Sequence, residues 1–286
     1  MLPRFLACCL LLLVLAEPAS AARSATVAAL QVGLRVHGTY EEAIDGTPGP
    51  ATIEAVRAFQ RQAGLEVDGV AGPKTRAALG PFGGPALGNR VPALGDAGWD
   101  VAELQFLLAE RGFPSGRFDG VFGPRVDGAL RRFQQWAGLA QTGRATPGTL
   151  AALDSPPPAV AIELRNPTGI APTDLFGPRG DRFHTGLDFP APAGAPVFAA
   201  ATGRVTWAAW HPGGWGYLVV LAHGGGLRTL YAHLSRLDVV VGQSLAAGAP
   251  LGLVGASGHS TGPHLHFEAR VRGAAVDPLP ALALGH

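Results

Sequence analysis

The sequence predicts a multidomain protein in which two small all-α, three-helix modules precede an all-β antiparallel domain. Residues 27–79 align with residues 101–153 at a constant offset of 74 and without a gap, and 24 of the 53 positions are identical. From residue 162 onward, short apolar or β-branched runs alternate with glycine clusters, which is typical of antiparallel strands joined by turns. A duplicated helical unit and one β domain account for most of the chain.

Composition and charge exclude several classes of protein. The 286 residues include 41 Gly and 25 Pro, yet 47% of them are hydrophobic, which is enough to build packed cores. The formal net charge is only +1. A disordered chain, a collagen and a polytopic membrane protein are therefore excluded, and we expect no nucleic acid partner that is held by phosphate neutralisation.

The first 21 residues predict a secretory signal peptide. Arg4 precedes the apolar run Phe5–Ala16, whose twelve residues fall short of the roughly 20 that a membrane-spanning helix needs. Ala19-Ser20-Ala21 then follows the small-x-small pattern of a cleavage site. The alternative is a buried N-terminal helix. We expect cleavage after Ala21, secretion to the cell wall, the periplasm or the extracellular space, and no membrane insertion afterwards.

Both cysteines, Cys8 and Cys9, lie inside the apolar run, so the expected mature chain contains none. A lipidated cysteine would follow the apolar core of a signal instead of interrupting it. The mature protein must therefore be stabilised by ordinary apolar cores or by a metal ion.

Each copy of the repeat predicts three short helices. In the second copy, Asp100 and Glu103 have the spacing of a capping box at the start of the first helix. Gly138 suits the left-handed residue that ends the middle helix. Thr146 and Pro147 suit the N-cap and first position of the third helix. The apolar positions of the middle helix are Val126, Ala129, Leu130, Phe133 and Ala137.

Two segments rich in Gly and Pro separate the predicted domains. We place a signal peptide at 1–21, the first module at 25–80, a flexible but partly stiffened linker at 81–98, the second module at 99–154, a stiffer Pro-rich linker at 155–161 and the β domain at 162–286.

Histidines and one aspartate of the β domain form a candidate zinc site. His184 and Asp188 are evenly spaced on an extended segment, and His264 and His266 form an i, i+2 pair on a predicted strand. Two His and one Asp make a three-ligand set of the kind that holds catalytic zinc, with a fourth position for water. His233, in another predicted strand, is a lone histidine of the kind that is more often structural. The predicted strands are Pro196–Trp210, Tyr217–Ala222, Arg228–Leu234, Pro250–Val254 and Leu265–Val271.

Both copies of the repeat resemble the peptidoglycan-binding domain of bacterial wall enzymes. The resemblance covers about 53 residues of each copy and rests on LQ near the start, a DG-x-x-GP turn, an A-x-x-x-FQ helix and the AGL that follows. The second copy departs from the first at Gln141-Thr142-Gly143, where the first has Val67-Asp68-Gly69. The resemblance implies peptidoglycan as the partner, and the alternative is a pair of spacers that have lost binding.

The β domain resembles the lysostaphin-type zinc metallopeptidases, which cleave peptide bonds in bacterial wall peptidoglycan. The matching stretches are FGPR at 176–179, FHTGLDF at 183–189, GAPVFAAATGRV at 194–205, LYAHLS at 230–235, VGQSLAAGAPLGLVGASGHSTGPHLHFE at 241–268 and VDP at 276–278. The resemblance implies one zinc ion held by His184, Asp188 and His266, with His233 and His264 as the catalytic histidines.

The combined resemblance implies a monomeric, secreted zinc endopeptidase that two modules anchor to the wall. The alternative is a non-catalytic wall-binding regulator that activates another hydrolase. Such relatives typically lack metal-site residues, and this chain has all five. A bacteriocin-like enzyme that attacks foreign walls would share the chemistry. The sequence leaves open whether stem-peptide cross-links or cross-bridges are cut.

Overall fold

The computed structural model describes residues 23–155 and 159–283. The predicted signal peptide at 1–21 lies outside the described residues. Across those two ranges, none of the helices combines the length and the apolar character that crossing a bilayer requires.

Six α-helices, three in each copy of the repeat, make up the first half of the described chain. They are α1 (Ala25–Val36), α2 (Pro50–Gln62), α3 (Pro73–Ala78), α4 (Trp99–Glu110), α5 (Pro124–Trp136) and α6 (Pro147–Leu153). The predicted end of α5 is confirmed, because Gly138 has a φ of +73°. The predicted start of α6 is also confirmed, since Thr146 accepts a hydrogen bond from the backbone N–H of Thr149 and Pro147 opens the helix.

The capping box predicted for α4 is wrong. The helix begins at Trp99, its N-cap is Gly98, and no side chain caps it. Asp100 instead lies buried inside the first turn, where its Oδ2 accepts a hydrogen bond from Arg90 Nε at 2.6 Å. Glu103 accepts the backbone N–H of Leu87 at 2.6 Å. Both carboxylates hold the segment between the modules, a long-range role that the local spacing does not reveal.

Buried glutamine amides fasten the turns of both modules. In the first module, the Gln60 side chain donates to Asp68 Oδ1 at 2.7 Å and accepts the N–H of Gly69 at 2.9 Å. In the second, Gln134 donates to Thr142 Oγ1 at 3.2 Å and accepts the N–H of Gly143 at 3.0 Å. Thr142 therefore takes the place of Asp68 as the hydrogen-bond partner of the glutamine. The contact is kept although the two copies differ in sequence at this position. The LQ glutamines, Gln31 and Gln105, bind the DG turns in the same way.

One apolar cluster spans both modules. Residues from α1 and α2 pack with Trp99, Phe106 and Phe118 of the second copy in a single cluster. Phe82, in a 3₁₀ turn at Gly80–Gly83 between the modules, packs against this cluster. The connecting segment is thus attached to the pair of modules along part of its length.

The second half of the chain is built around a nine-stranded sheet. Its strand order is β12-β11-β8-β7-β6-β9, with β10 pairing to β5 and β8, and β4 pairing to β11, all antiparallel. The strands are β1 (Leu164–Arg165), β2 (Gly177–Arg179), β3 (Arg182–His184), β4 (Leu187–Phe189), β5 (Pro196–Phe198), β6 (Gly203–His211), β7 (Gly216–Ala222), β8 (Leu227–Leu237), β9 (Ser244–Leu245), β10 (Pro250–Val254), β11 (Leu265–Val271), β12 (Ala274–Val276) and β13 (Leu282–Ala283).

The predicted run Pro196–Trp210 is two strands. It breaks after Phe198, where the backbone of Ala199 exchanges hydrogen bonds with the segment at Gly248 and Ala249. Two-residue strands β1 and β13 form a parallel pair beside the main sheet. The other predicted strands are found within a few residues of their expected limits.

One face of the sheet covers the apolar core and the other carries the histidines. Phe189, Val219, Tyr231 and Phe267 point into the core cluster. Because side chains alternate along a strand, Asp188 and His266 project from the opposite, outer face.

Both modules donate backbone hydrogen bonds to the hairpin formed by β2 and β3. The backbone N–H of Ile44 donates to Gly180 O at 2.8 Å, and the N–H of Phe118 donates to Asp181 O at 2.7 Å. Ile44 and Phe118 occupy equivalent positions of the two copies, 74 residues apart. The tip of the hairpin that leads to His184 therefore sits between two related contacts.

Candidate metal centre

A short turn brings His184 and Asp188 together. His184 ends β3 and Asp188 lies in the middle of β4, with Gly186 in the turn between them. A Cβ on Gly186 would lie 2.3 Å from the carbonyl oxygen of Phe267, so this turn passes too close to β11 for any side chain. Close packing of the turn on β11 is what sets His184 beside the strand that carries His266.

Three ligand-type atoms converge on the outer face of the sheet. His266 lies directly opposite Asp188 in the antiparallel pair of β11 and β4. His184 Nε2 is 3.1 Å from Asp188 Oδ1 and 3.1 Å from His266 Nδ1, and His266 Nδ1 is 2.8 Å from Asp188 Oδ1. The structure brings together the three side chains that the sequence singles out as ligands.

The outer nitrogens of both imidazoles are already engaged. His184 Nδ1 is 2.8 Å from Leu175 O, and a carbonyl can only accept. His266 Nε2 is 3.0 Å from Glu268 Oε1. When both nitrogens donate outward, the two inner nitrogens and Asp188 Oδ1 present lone pairs to one another. Such a set of acceptors is stabilised by a cation, and outward hydrogen bonds of this kind orient histidine ligands of metals. The donor set therefore fits a divalent ion such as zinc.

The charges around these atoms are strongly coupled. Burial by itself would raise the pKa of Asp188, but the hydrogen bonds with His184 and His266 hold it well below its usual range. Burial would lower the pKa of His266, but its hydrogen bonds with Asp188 and Glu268 outweigh this and raise it to about 9. Without a metal ion, a proton on His266 therefore satisfies the neighbouring carboxylates, and binding of a metal ion must release that proton.

Two further histidines face the same centre. The ring centroids of His233 and His264 are 4.8 Å apart, and those of His233 and His266 are 5.9 Å apart. His264 Nε2 is 3.8 Å from Asp188 Oδ1. The structure thus brings together all five residues that the sequence singles out.

A bulge in β8 turns His233 toward the outer face. The pairing of β8 with β7 shifts by one residue between Tyr231 and Leu234, and both of these side chains lie in the core. His233 adopts a φ of +61°, which is uncommon for any residue other than glycine. The extra residue lets His233 leave the core side without displacing Leu234.

His233 and His264 are held in matching tautomers by backbone carbonyls. His233 Nδ1 is 2.8 Å from Ser257 O, and His264 Nδ1 is 2.9 Å from Gly262 O. Donation from each Nδ1 leaves the Nε2 lone pair free. Burial lowers the pKa of His233 to about 4, so its imidazole is neutral at neutral pH.

Two residues at the centre were missed from the sequence. Glu268 is fully buried, supports His266 Nε2, and also accepts the Thr185 hydroxyl at 2.6 Å. Its signal is the spacing, because Glu268 follows His266 by two residues on one strand and so shares its face. Arg179 donates to Asp188 Oδ2 at 3.1 Å. Arg179 ends β2, and no local spacing connects it to Asp188.

Residues 182–278 match peptidase family M23, and residues 23–79 and 98–153 match the family described as "Putative peptidoglycan binding domain". Over 98 residues the chain is 47% identical to the DD-carboxypeptidase/endopeptidase Mpg of Neisseria meningitidis, covering 34% of this chain and 22% of that protein. It is 43% identical over 98 residues to the peptidoglycan DD-endopeptidase ShyB of Vibrio cholerae, covering 34% and 23%. The chain thus spans less than a quarter of the length of these relatives.

Among solved structures, the catalytic domain of the antimicrobial peptidase lysostaphin from Staphylococcus simulans is 35% identical, with a TM-score of 0.38. The match covers 39% of this chain and 90% of that one. The chain therefore contains a peptidase M23 domain at residues 182–278, and two copies of the peptidoglycan-binding domain precede it.

Proposed function

We propose that the chain is a secreted, zinc-dependent endopeptidase that hydrolyses peptide bonds of bacterial peptidoglycan and is held at the wall by its two modules. One observation carries the proposal: three acceptor atoms of His184, Asp188 and His266 converge within 3.1 Å, with the outer nitrogen of each histidine engaged elsewhere. The names of the two curated relatives support cross-links between D-amino acids as the first substrate to test.

In this proposal His184, Asp188 and His266 hold the zinc ion. When bound, zinc supplies Lewis acidity toward the scissile carbonyl and acidifies a water molecule. Arg179 and Glu268 act through the ligands, since Arg179 fixes the second oxygen of Asp188 and Glu268 fixes the ring of His266.

His233 and His264 are the proposed catalytic histidines. Each keeps its Nδ1 proton on a backbone carbonyl, so each presents Nε2 as a proton acceptor toward the centre. One of them accepts a proton from the attacking water. The other, when it carries a proton on Nε2, donates to the oxyanion and passes that proton to the leaving amine. This pair distinguishes a hydrolase from the alternative of a wall-binding regulator, which needs no proton acceptor here.

The proposal is tested by hydrolysis of purified peptidoglycan together with metal analysis. A chelator should abolish release of soluble fragments, and zinc should restore it. His266→Ala should lose both metal and activity, whereas His264→Ala should keep the metal and lose turnover. Full activity of the metal-free wild-type protein would contradict the proposal, and a metal-loaded protein without any hydrolysis would favour the regulator.

Glu268→Gln provides a second test at the centre. The substitution keeps the shape of the side chain but replaces the carboxylate that accepts from His266, so metal affinity should fall by about 10–100-fold. Competition with a chromogenic chelator measures the change, with Glu66→Gln, at an exposed position of the first module, as the control. Unchanged metal affinity would show that Glu268 does not support the ligand.

A further inference from the structure

A cleft of about 450 Å³ lies between the second module and the outer face of the sheet. The loop from Gly112 to Gly116 and residue Arg132 form its module side, while Thr185, Trp215 and Arg270 belong to the β domain. The volume is within the range of about 300–1,000 Å³ that ligand sites occupy. Neither domain forms this space alone.

The described lining of the cleft carries three arginines, Arg132, Arg182 and Arg270, and no acidic side chain. We call this space the arginine cleft. Arg270 is paired with the buried carboxylate of Glu268, but within the described ranges the other two arginines have no close carboxylate of their own. Arg182 approaches Asp181 only to 3.9 Å, and Asp181 is already held by Arg117 at 2.5 Å. Among the described residues, Arg132 makes no hydrogen bond or ion pair.

Arg270 is fixed in place before any ligand arrives. Its Nε and Nη2 each lie 2.7 Å from Glu268 Oε2, and its guanidinium lies 5.3 Å from the ring centre of Trp215. An arginine held on one edge keeps its remaining donors in a fixed direction. Burial and the neighbouring charge of Arg270 lower the pKa of Arg132, so the two guanidinium groups repel one another across the cleft. An anion between them would relieve that repulsion.

The cleft adjoins the candidate metal centre. Thr185 directly follows His184, and its hydroxyl donates to Glu268 Oε1 at 2.6 Å. Trp215 Nε1 donates to the same oxygen at 3.4 Å. A peptide lying in the cleft would therefore contact side chains that bind Glu268, the partner of His266.

We propose that the arginine cleft binds a carboxylate of the peptide substrate and so places that peptide beside the metal centre. The proposal rests on the proposed function for the identity of the ligand. Carboxylates suit this set because arginine binds them through paired, charge-assisted hydrogen bonds. The position equivalent to Arg132 in the first module is Ala58, so the second module alone supplies this charge.

The test is calorimetric binding at low ionic strength, using the full mature chain. The probes are N-acetyl-D-alanyl-D-alanine with a free carboxylate, the same peptide as its C-terminal amide, and inorganic phosphate. Arg132→Ala, which installs the residue of the first module, should weaken carboxylate binding by about fivefold. It should leave amide binding unchanged. Arg131→Ala is the matched control, because Arg131 is the adjacent helix residue and pairs with Asp127 instead.

Equal affinities of the two variants for the carboxylate peptide would overturn the proposal, as would an equal loss for carboxylate and amide. If phosphate displaces the peptide at a concentration equal to or below that of the peptide, the cleft is a phosphate site. That result would overturn the proposal that it binds a carboxylate. Because the readout is binding, failure to hydrolyse peptidoglycan would contradict the proposed function and leave this result standing.

Discussion

The two peptidoglycan-binding modules have the same fold and equivalent hydrogen bonds between glutamines and turns, but they meet the β domain differently. Both donate an equivalent backbone N–H to the tip of the hairpin that leads to His184. Gly38 and Gly112 are also equivalent and have φ values of +76° and +82°. A Cβ on Gly38 would meet open space, whereas a Cβ on Gly112 would lie 2.1 Å from Ala275 O. A residue that is identical in the two copies therefore indicates a shared role in the fold of the module. It does not indicate that both modules make the same contact with the β domain.

Gly112→Ala should lower the free energy of unfolding more than any other change proposed here. It should also show that Gly112 and Gly38 differ in their contacts with the β domain. A left-handed φ costs alanine about 1–2 kcal/mol, and overpacking against the Ala275 backbone adds about 1–3 kcal/mol. We therefore expect the free energy of unfolding to fall by about 3 kcal/mol, with the second module displaced from the β domain. Hydrogen exchange at the Ala275 amide, which donates to Gly112 O, should accelerate.

Gly38→Ala is the matched control for this change. It carries the same backbone strain without the contact, so it should cost about 1 kcal/mol and leave exchange at the Ala275 amide unchanged. Equal losses in the two variants would show that the contact at Gly112 contributes nothing to docking.

Substitution of the buried glutamines tests the internal equivalence. Gln60→Leu and Gln134→Leu each leave the backbone N–H of a turn without its acceptor, at the partly buried Gly69 and at the buried Gly143, which should cost about 2 kcal/mol in either module. Chemical denaturation followed by hydrogen exchange in each module measures both losses. A much smaller loss for Gln134→Leu would mean that Thr142 does not replace Asp68 as a partner.

The smallest expected effect distinguishes the modules by pH. Hydrogen bonds from the backbone of Val70 and from Gln60 lower the pKa of Asp68 in the folded protein. Stabilisation from Asp68 is thus present above its unfolded pKa of about 3.9 and is lost as the pH falls through the lower, folded value. Thr142 does not titrate, so only the first module has this dependence.

Asp68→Thr gives the first module the residue found at the equivalent position of the second. The denaturant midpoint of unfolding should then decline less between about pH 5 and pH 3. Thr142→Asp should steepen that decline. A midpoint that responds to pH identically in the wild type and in Asp68→Thr would contradict the assignment.

Local patterns predicted the helices, most strands and the pairing of His184 with Asp188 and of His264 with His266, because these depend on periodicity and on side chains of one strand sharing a face. His233 was singled out only by the resemblance to a family. The capping box failed because Asp100 and Glu103 are buried against a distant segment, and local spacing carries no information about that segment. Arg179 was missed for the same reason, since its partner Asp188 is brought near by the turn at Gly186. The bulge at His233 was also unpredictable, because it depends on how β8 pairs with β7 and β10.

The sequence by itself determined the duplication, the order of helical and β regions, and which side chains could ligate a metal ion, since these follow from composition, spacing and alternation. The tertiary structure decided which acceptors converge, which groups support them and how the modules meet the β domain. These features depend on contacts between residues far apart in the chain, such as Gly112 with Ala275 and Arg132 beside Arg270. The free energy of such contacts depends on distance and burial, which no local pattern records.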